Sequence, residues 1–191
     1  MARFSNIVGR YVYLDVEGIE YRVYFEEAGE GIPLVCQHTA GSDGRQYRHL
    51  LEDKDITSRY RVIALDLPLH GKSLPPVENR YWEDEYKLKK DWFMKFWISF
   101  VKELDLFQPV FMGCSMGGHL AADLACHYPD EFRACIGLES SCHSGGFDKM
   151  FQKWWRHPRL SNDTKAAMML SLCSPHSPEA NVRETVWAYS Q

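Results

Sequence analysis

Six residues, Gly113-Cys114-Ser115-Met116-Gly117-Gly118, stand between an apolar run over 109–114 and an Ala-rich amphipathic run over 117–128. The first reads as a strand and the second as a helix, so the serine falls on the turn that joins them. A Gly-x-Ser-x-Gly pattern suits such a turn because the backbone there is strained, and flanking glycines carry no Cβ to clash. The serine hydroxyl is thereby pushed outward, where it can attack a substrate.

The surrounding pattern gives this turn a sheet to stand on. Residues 10–16 and 19–26 alternate in polarity around Glu17-Gly18, which predicts an antiparallel hairpin with one solvated face. Residues 32–37, 60–67, 109–114 and 132–138 are short, nearly continuous apolar runs, as in parallel strands buried on both faces. Between them, helical spacing is predicted over 46–51, 86–104 and 117–128. In the longest, Leu88, Trp92, Phe96, Phe100 and Leu104 recur every fourth residue, and Phe93, Trp97 and Val101 widen the stripe. Strand and helix in alternation imply right-handed crossovers and an α/β fold: a mostly parallel, doubly wound sheet opened by the antiparallel hairpin. Residues 1–138 form this core. Residues 139–191 break the pattern and read as a helical lid or cap, with a Trp- and Met-rich stretch over 147–172 and a further amphipathic helix from 181.

Composition narrows the partners. The net charge is −4, and the densest basic cluster, over 87–90, is hemmed in by Glu83, Asp84, Glu85 and Asp91, so neither nucleic acid nor an anionic membrane has an electrostatic footprint here. The first ten residues lack the apolar stretch of a signal peptide, and no run of about 18 apolar residues occurs. A soluble, cytoplasmic protein is expected. Six cysteines show no CxxC pairing, and most lie in apolar segments, as buried free thiols do, so neither disulfide nor metal is expected.

With the serine turn after the fifth strand, the chain resembles the α/β-hydrolase family across residues 21–138. Two further stretches carry the resemblance. Gln37-His38-Thr39-Ala40-Gly41-Ser42-Asp43 is similar to the family's His-Gly-x segment, which supplies one backbone N–H of the oxyanion hole. The resemblance implies that Met116 supplies the other. Thr39 stands where the family usually has glycine, so the loop donor is either Ala40 or Thr39, and His38 is expected at the substrate site. Asp66-Leu67-Pro68-Leu69-His70-Gly71-Lys72-Ser73 is similar to the family's Asp-x-x-Gly-x-Gly-x-Ser turn, a structural segment, in which His70 is expected to hold the loop by hydrogen bonds.

A serine nucleophile needs a histidine base and an acid that orients it. Glu139 follows the sixth strand, where some family members such as haloalkane dehalogenases carry that acid. Its other reading is a solvated carboxylate capping the Ser140-Ser141 turn. His143, His157 and His176 follow the serine but read as lid or surface residues, and the base is expected beyond the residues given, either on a longer protein or nowhere, in a half-fold without a triad. The resemblance implies hydrolysis of an ester or thioester of a hydrophobic acyl group through an acyl-enzyme at Ser115, without metal or other cofactor. Hydrolysis of a carbon–carbon bond in a dienone acid uses the same machinery. Dehalogenase chemistry is disfavoured, because that family has aspartate where Ser115 stands. Trp154, Trp155, Met150, Phe151, Met168, Met169 and Leu170 either line the substrate pocket or form the core of the lid. The alternative is a catalytically inactive hydrolase fold that binds a small ligand or a protein partner. A homo-oligomer is compatible with either reading.

Overall fold

The computed structural model describes residues 2–76, 80–83, 89–141, 157 and 159–190. It divides into two compact units, Met1–Ser140 and Ser141–Gln191, which are taken separately below.

The first unit is built on a six-stranded sheet of order β1-β2-β4-β3-β5-β6. Strands β1 (Val8–Val16) and β2 (Ile19–Ala28) form the expected antiparallel hairpin, with Val16 opposite Ile19. The turn between them needs left-handed backbone at Glu17 and Gly18, φ 57° and 80°, and the Gly18 N–H donates to the Asp15 carboxylate at 3.1 Å. The remaining strands are β3 (Ile32–Gln37), β4 (Tyr60–Leu65), β5 (Val110–Cys114) and β6 (Ala134–Leu138). Strand β4 is antiparallel to β2, whereas the β3–β4, β3–β5 and β5–β6 pairs are parallel.

The continuous apolar runs of β3 and β4 are explained by two covered faces. Alternate side chains part company: Val35, Ile63, Leu65 and Phe111 enter one buried cluster, while Leu34, Cys36, Val62, Ala64 and Val110 enter the other. The first cluster lies under α3 (Lys90–Glu103) and α4 (Met116–His127). The second takes Tyr47 and Leu51 from the segment after β3. There the single helix expected over 46–51 is instead a 3-10 turn, Gly44–Tyr47, followed by two short helices, α1 (Arg48–Glu52) and α2 (Lys54–Thr57). The Asp53 carboxylate, accepting the N–H groups of Asp55 and Ile56, caps α2 and so breaks the run.

Helix α3 starts at Lys90, and the part of its expected span over 86–88, including Leu88, lies outside the described residues. Its stripe is aromatic: Trp92 stacks on Phe96 at 5.4 Å between centroids, and Trp97 meets Phe111 of β5 edge-to-face at 4.9 Å.

Strand β6 departs from the expectation of burial on both faces. Among the described residues it lies at the sheet edge and pairs with β5 alone; Ile136 and Leu138, on one face, are 41% and 38% exposed. Cys135, pointing the other way, packs against the core. An apolar run records what a strand can bury, and here only one face has a described layer against it.

The second unit contains α5 (Asn162–Met168), a 3-10 turn over Met169–Leu172, and α6 (Glu179–Tyr189). Ser161 caps α5 by accepting the Thr164 N–H at 3.2 Å. Among its described residues, Ala166, Met169 and Ala188 are the buried apolar ones. His143, Met150, Phe151, Trp154 and Trp155 lie outside the described residues.

Candidate active site

Ser115 sits between β5 and α4 with φ 53° and ψ −107°, a backbone conformation that non-glycine residues adopt only under constraint, at roughly 1–3 kcal/mol. The constraint is visible on both sides. The Ser115 N–H donates to the Leu138 carbonyl at 2.8 Å, tying the turn to the end of β6, and its carbonyl accepts the His119 N–H at 3.0 Å to start α4. The three glycines around it are demanded by close approach. A Cβ at Gly113 would collide with the Gly117 backbone, and one at Gly118 would lie 2.7 Å from the Leu138 carbonyl oxygen. Gly117 is less crowded, with Gln37 atoms at 3.0 to 3.2 Å. The turn thus stands tightly on the ends of β3 and β6. Ser115 is half-buried. Met116 is the first residue of α4, so its N–H has no acceptor within the helix.

In the loop after β3 the two candidate backbone donors differ. The Thr39 N–H is already taken, donating to Gln46 Oε1 at 2.9 Å. Ala40 is exposed, and no described residue accepts its N–H. The direction of that N–H follows from its peptide unit. In a trans peptide the C=O of one residue and the N–H of the next point opposite ways. The Thr39 carbonyl is held by the Ser42 N–H at 3.3 Å and by the His38 ring at 2.8 Å, so the Ala40 N–H points away from both.

His38 corrects a sequence expectation. It does not line an open site but is fully buried, and both ring nitrogens are engaged. Nε2 accepts the Leu67 N–H at 3.0 Å, which leaves Nδ1 as the protonated nitrogen that donates to the Thr39 carbonyl. Burial pushes its pKa down to about 3, with the nearby His70 acting in the same direction. The two rings lie 5.0 Å apart. His70 has the loop-holding part expected of it, with Nδ1 at 3.0 Å from the Pro68 carbonyl.

The Asp66 turn is structural in the same sense. The Asp66 carboxylate accepts the N–H groups of Gly44 at 2.8 Å and Lys72 at 2.7 Å, linking the loops after β3 and β4. Burial raises its pKa.

Glu139 follows β6 in a left-handed conformation, φ 49°, and is exposed. Its carboxylate accepts a hydrogen bond from the Cys114 thiol at 3.4 Å, which brings it to the residue preceding Ser115. Burial pushes the Cys114 thiol up to about 11, leaving it un-ionised and a poor nucleophile.

Two amides were given no part by the sequence motifs. Gln46 holds Thr39, as described. Gln37 is fully buried at the end of β3; its Oε1 accepts the Trp97 indole N–H and its backbone carbonyl accepts the Tyr47 hydroxyl at 2.7 Å. Its Nε2 has no hydrogen-bond partner among the described residues. Neither could be found from sequence, because a lone glutamine carries no spacing signal. Among the described residues no group of three or more His, Cys, Asp or Glu could hold a metal ion, and no helix is long and apolar enough to cross a membrane.

A family model described as the alpha/beta hydrolase fold matches residues 32–166. The chain is 32% identical over 120 residues to bifunctional epoxide hydrolase 2 of Sus scrofa. It is 32% identical over 119 residues to a pimeloyl-(acyl-carrier protein) methyl ester esterase of Aeromonas hydrophila. Each match takes in 62% of this chain, but only 20% and 42% of the respective relative, so the chain spans less than half the length of either. Among solved structures, a hydrolase from Pseudomonas aeruginosa PA01 superposes with a TM-score of 0.75 at 17% identity, covering 94% of this chain and 66% of that one. That likeness concerns the fold.

Proposed function

The chain belongs to the α/β-hydrolase fold family, and on that premise we propose that it carries the nucleophile and oxyanion hole of a serine-dependent hydrolase. The observation that carries this reading is the backbone of Ser115, strained at φ 53° and ψ −107° between β5 and α4. Strain of this kind persists only where the surroundings enforce it, and here it lifts a hydroxyl out of the sheet end.

In the proposed reaction Ser115 Oγ attacks the carbonyl carbon of an ester or thioester while its proton passes to a base. The carbonyl oxygen becomes an oxyanion held by the N–H groups of Ala40 and Met116. Collapse expels the alcohol or thiol and leaves an acyl-enzyme, which water hydrolyses to the free acid. Two converging N–H donors matter because charge grows on that oxygen, and losing one typically slows such enzymes by about 10²–10³-fold. Glu139 is the acid of this scheme, supported by its contact with the thiol next to the nucleophile. The base is a histidine not assigned to any described residue. Residues 139–191 are proposed as the lid. The similarity to a methyl ester esterase supports an ester substrate.

The test is intact mass of the full-length protein before and after a fluorophosphonate probe, beside a Ser115→Ala variant. One adduct, lost in the variant, is the expected result. A wild-type protein that never labels overturns the proposal and leaves the fold as a binding module for a small ligand or partner.

A further inference from the structure

Glu139 is exposed, it follows a strand at the sheet edge, and its side chain is long and rotatable. An acid that orients a catalytic base must present its carboxylate in one place, which calls for supporting residues that lock its geometry. Those supports are visible at both ends of the residue.

The backbone is pinned on either side. In the β5–β6 pair Cys114 lies opposite Leu138, and the Leu138 carbonyl accepts the Ser115 N–H at 2.8 Å. Beyond Glu139, Ser140 lies against the first turn of α4, where a Cβ on Gly118 would fall 2.7 Å from the Ser140 Cβ. Between these two fixed points Glu139 takes φ 49°, a left-handed conformation in which glycine is more at ease. A side chain kept there at a conformational cost points to use of the carboxylate it carries.

The other end is held by one thiol. Cys114 Sγ donates to Glu139 Oε2 at 3.4 Å, and among the described residues this is the hydrogen bond that the carboxylate receives. Cys114 is only 6% exposed, yet it joins neither buried apolar cluster, although Val110 and Met112 on the same face of β5 pack in the second. Its sulfur is spent on a carboxylate instead of on the core. Burial pushes the thiol up to about 11, so it keeps the proton it donates. Because the next residue is Ser115, one side chain joins the nucleophile turn to the acid.

We infer that Cys114 is a positioning residue, whose thiol holds the Glu139 carboxylate beside the Ser115 turn so that the acid meets the base in a single orientation. This inference rests on the serine-hydrolase reading above. The sulfur acts through Glu139 and takes no part in making or breaking bonds. Without it the backbone anchors at Leu138 and Ser140 remain, but the carboxylate is free to swing into solvent.

The experiment compares Cys114→Ala, Cys114→Ser, Glu139→Gln and the Cys114→Ala, Glu139→Gln double variant in the full-length protein. Turnover of p-nitrophenyl butyrate and fluorophosphonate labelling of Ser115 are the readouts. Cys114→Ala should lower kcat about fivefold or more with KM within about twofold. Cys114→Ser keeps a donor and should recover most of that loss. In the Glu139→Gln background the alanine change should slow turnover no further, because no carboxylate remains to be oriented. Unchanged kcat in Cys114→Ala or in Glu139→Gln overturns the inference and leaves the nucleophile assignment intact. So does a serine variant as slow as the alanine one, or an alanine loss that persists undiminished beside Glu139→Gln, since a packing role alone would give both. If Cys114→Ala does not fold, Cys114→Val decides by the same criteria. A wild-type protein that neither turns over the ester nor takes label at Ser115 overturns the serine reading and the inference together.

Discussion

His38 Nε2 accepts the backbone N–H of Leu67 at 3.0 Å, so a ring at the end of β3 closes the loop that follows β4. The same ring donates through Nδ1 to Thr39. A second proton would put a donor against the Leu67 donor, which is why this contact exists only with a neutral imidazole.

That requirement makes stability pH-dependent with a definite sign. The folded pKa is near 3 and the ordinary value is 6.5. Below about pH 6.5 the unfolded chain takes up a proton that the folded one refuses, so stability is present above that pH and falls as pH drops toward 3. The slope from this residue is about 1.4 kcal/mol per pH unit. Buried Asp66, shifted upward, opposes it at the acid end. Urea unfolding of wild type and His38→Asn across pH 4 to 8 should give a difference in stability that shrinks as pH falls; a constant difference would refute it.

The glycines of the serine turn should differ sharply. Gly113→Ala drives a methyl into the Gly117 backbone and should cost about 3 kcal/mol or more, with little folded protein recovered. Gly117→Ala meets Gln37 atoms at 3.0 to 3.2 Å and should cost about 1 kcal/mol. Thermal melts of the two variants would check the order; equal losses would contradict the packing described.

Ser115→Gly should raise stability while abolishing labelling. Glycine adopts φ 53° without the side-chain penalty, so about 1 kcal/mol of strain is released. A denaturant midpoint at or below that of wild type would show that the turn is not strained.

Trp97 and Gln37 should be energetically coupled. Trp97→Phe strips the indole donor from a fully buried amide and should cost about 2–3 kcal/mol. Adding Gln37→Leu removes the stranded amide, whose Nε2 is already unpartnered, and should restore part of that loss. Additive destabilisation in chemical unfolding would exclude the coupling.

The strands and the serine turn were legible in sequence because their signals are local: alternation or continuous apolarity along a run, and glycines where no Cβ fits. Val35 and Cys36 illustrate it, since both were needed to fill two covered faces. Ile136 and Leu138 were misread for the converse reason. Whether a layer covers an apolar side chain is a property of its neighbours, and the run itself is silent on it. His38 looked like a site residue because it adjoins the oxyanion loop, yet its role depends on Leu67, which meets it only in the fold. Gln46 had no signal at all: one amide after Gly44-Arg45 becomes informative only when the Thr39 N–H arrives at its side-chain oxygen.

The position of β3 between β4 and β5 has a consequence in time. Among the strands that precede it, β5 pairs with β3, from which it is separated along the chain by α1, α2, β4 and α3. Closing so long a loop is entropically slow, whereas the β1–β2 hairpin needs only a two-residue turn. The hairpin can therefore form while the chain is still short, and the strained backbone at Ser115 comes last, after β3, β5 and β6 have met to hold it. A chain caught partway through folding would then already own its hairpin and helices but not yet a reactive serine.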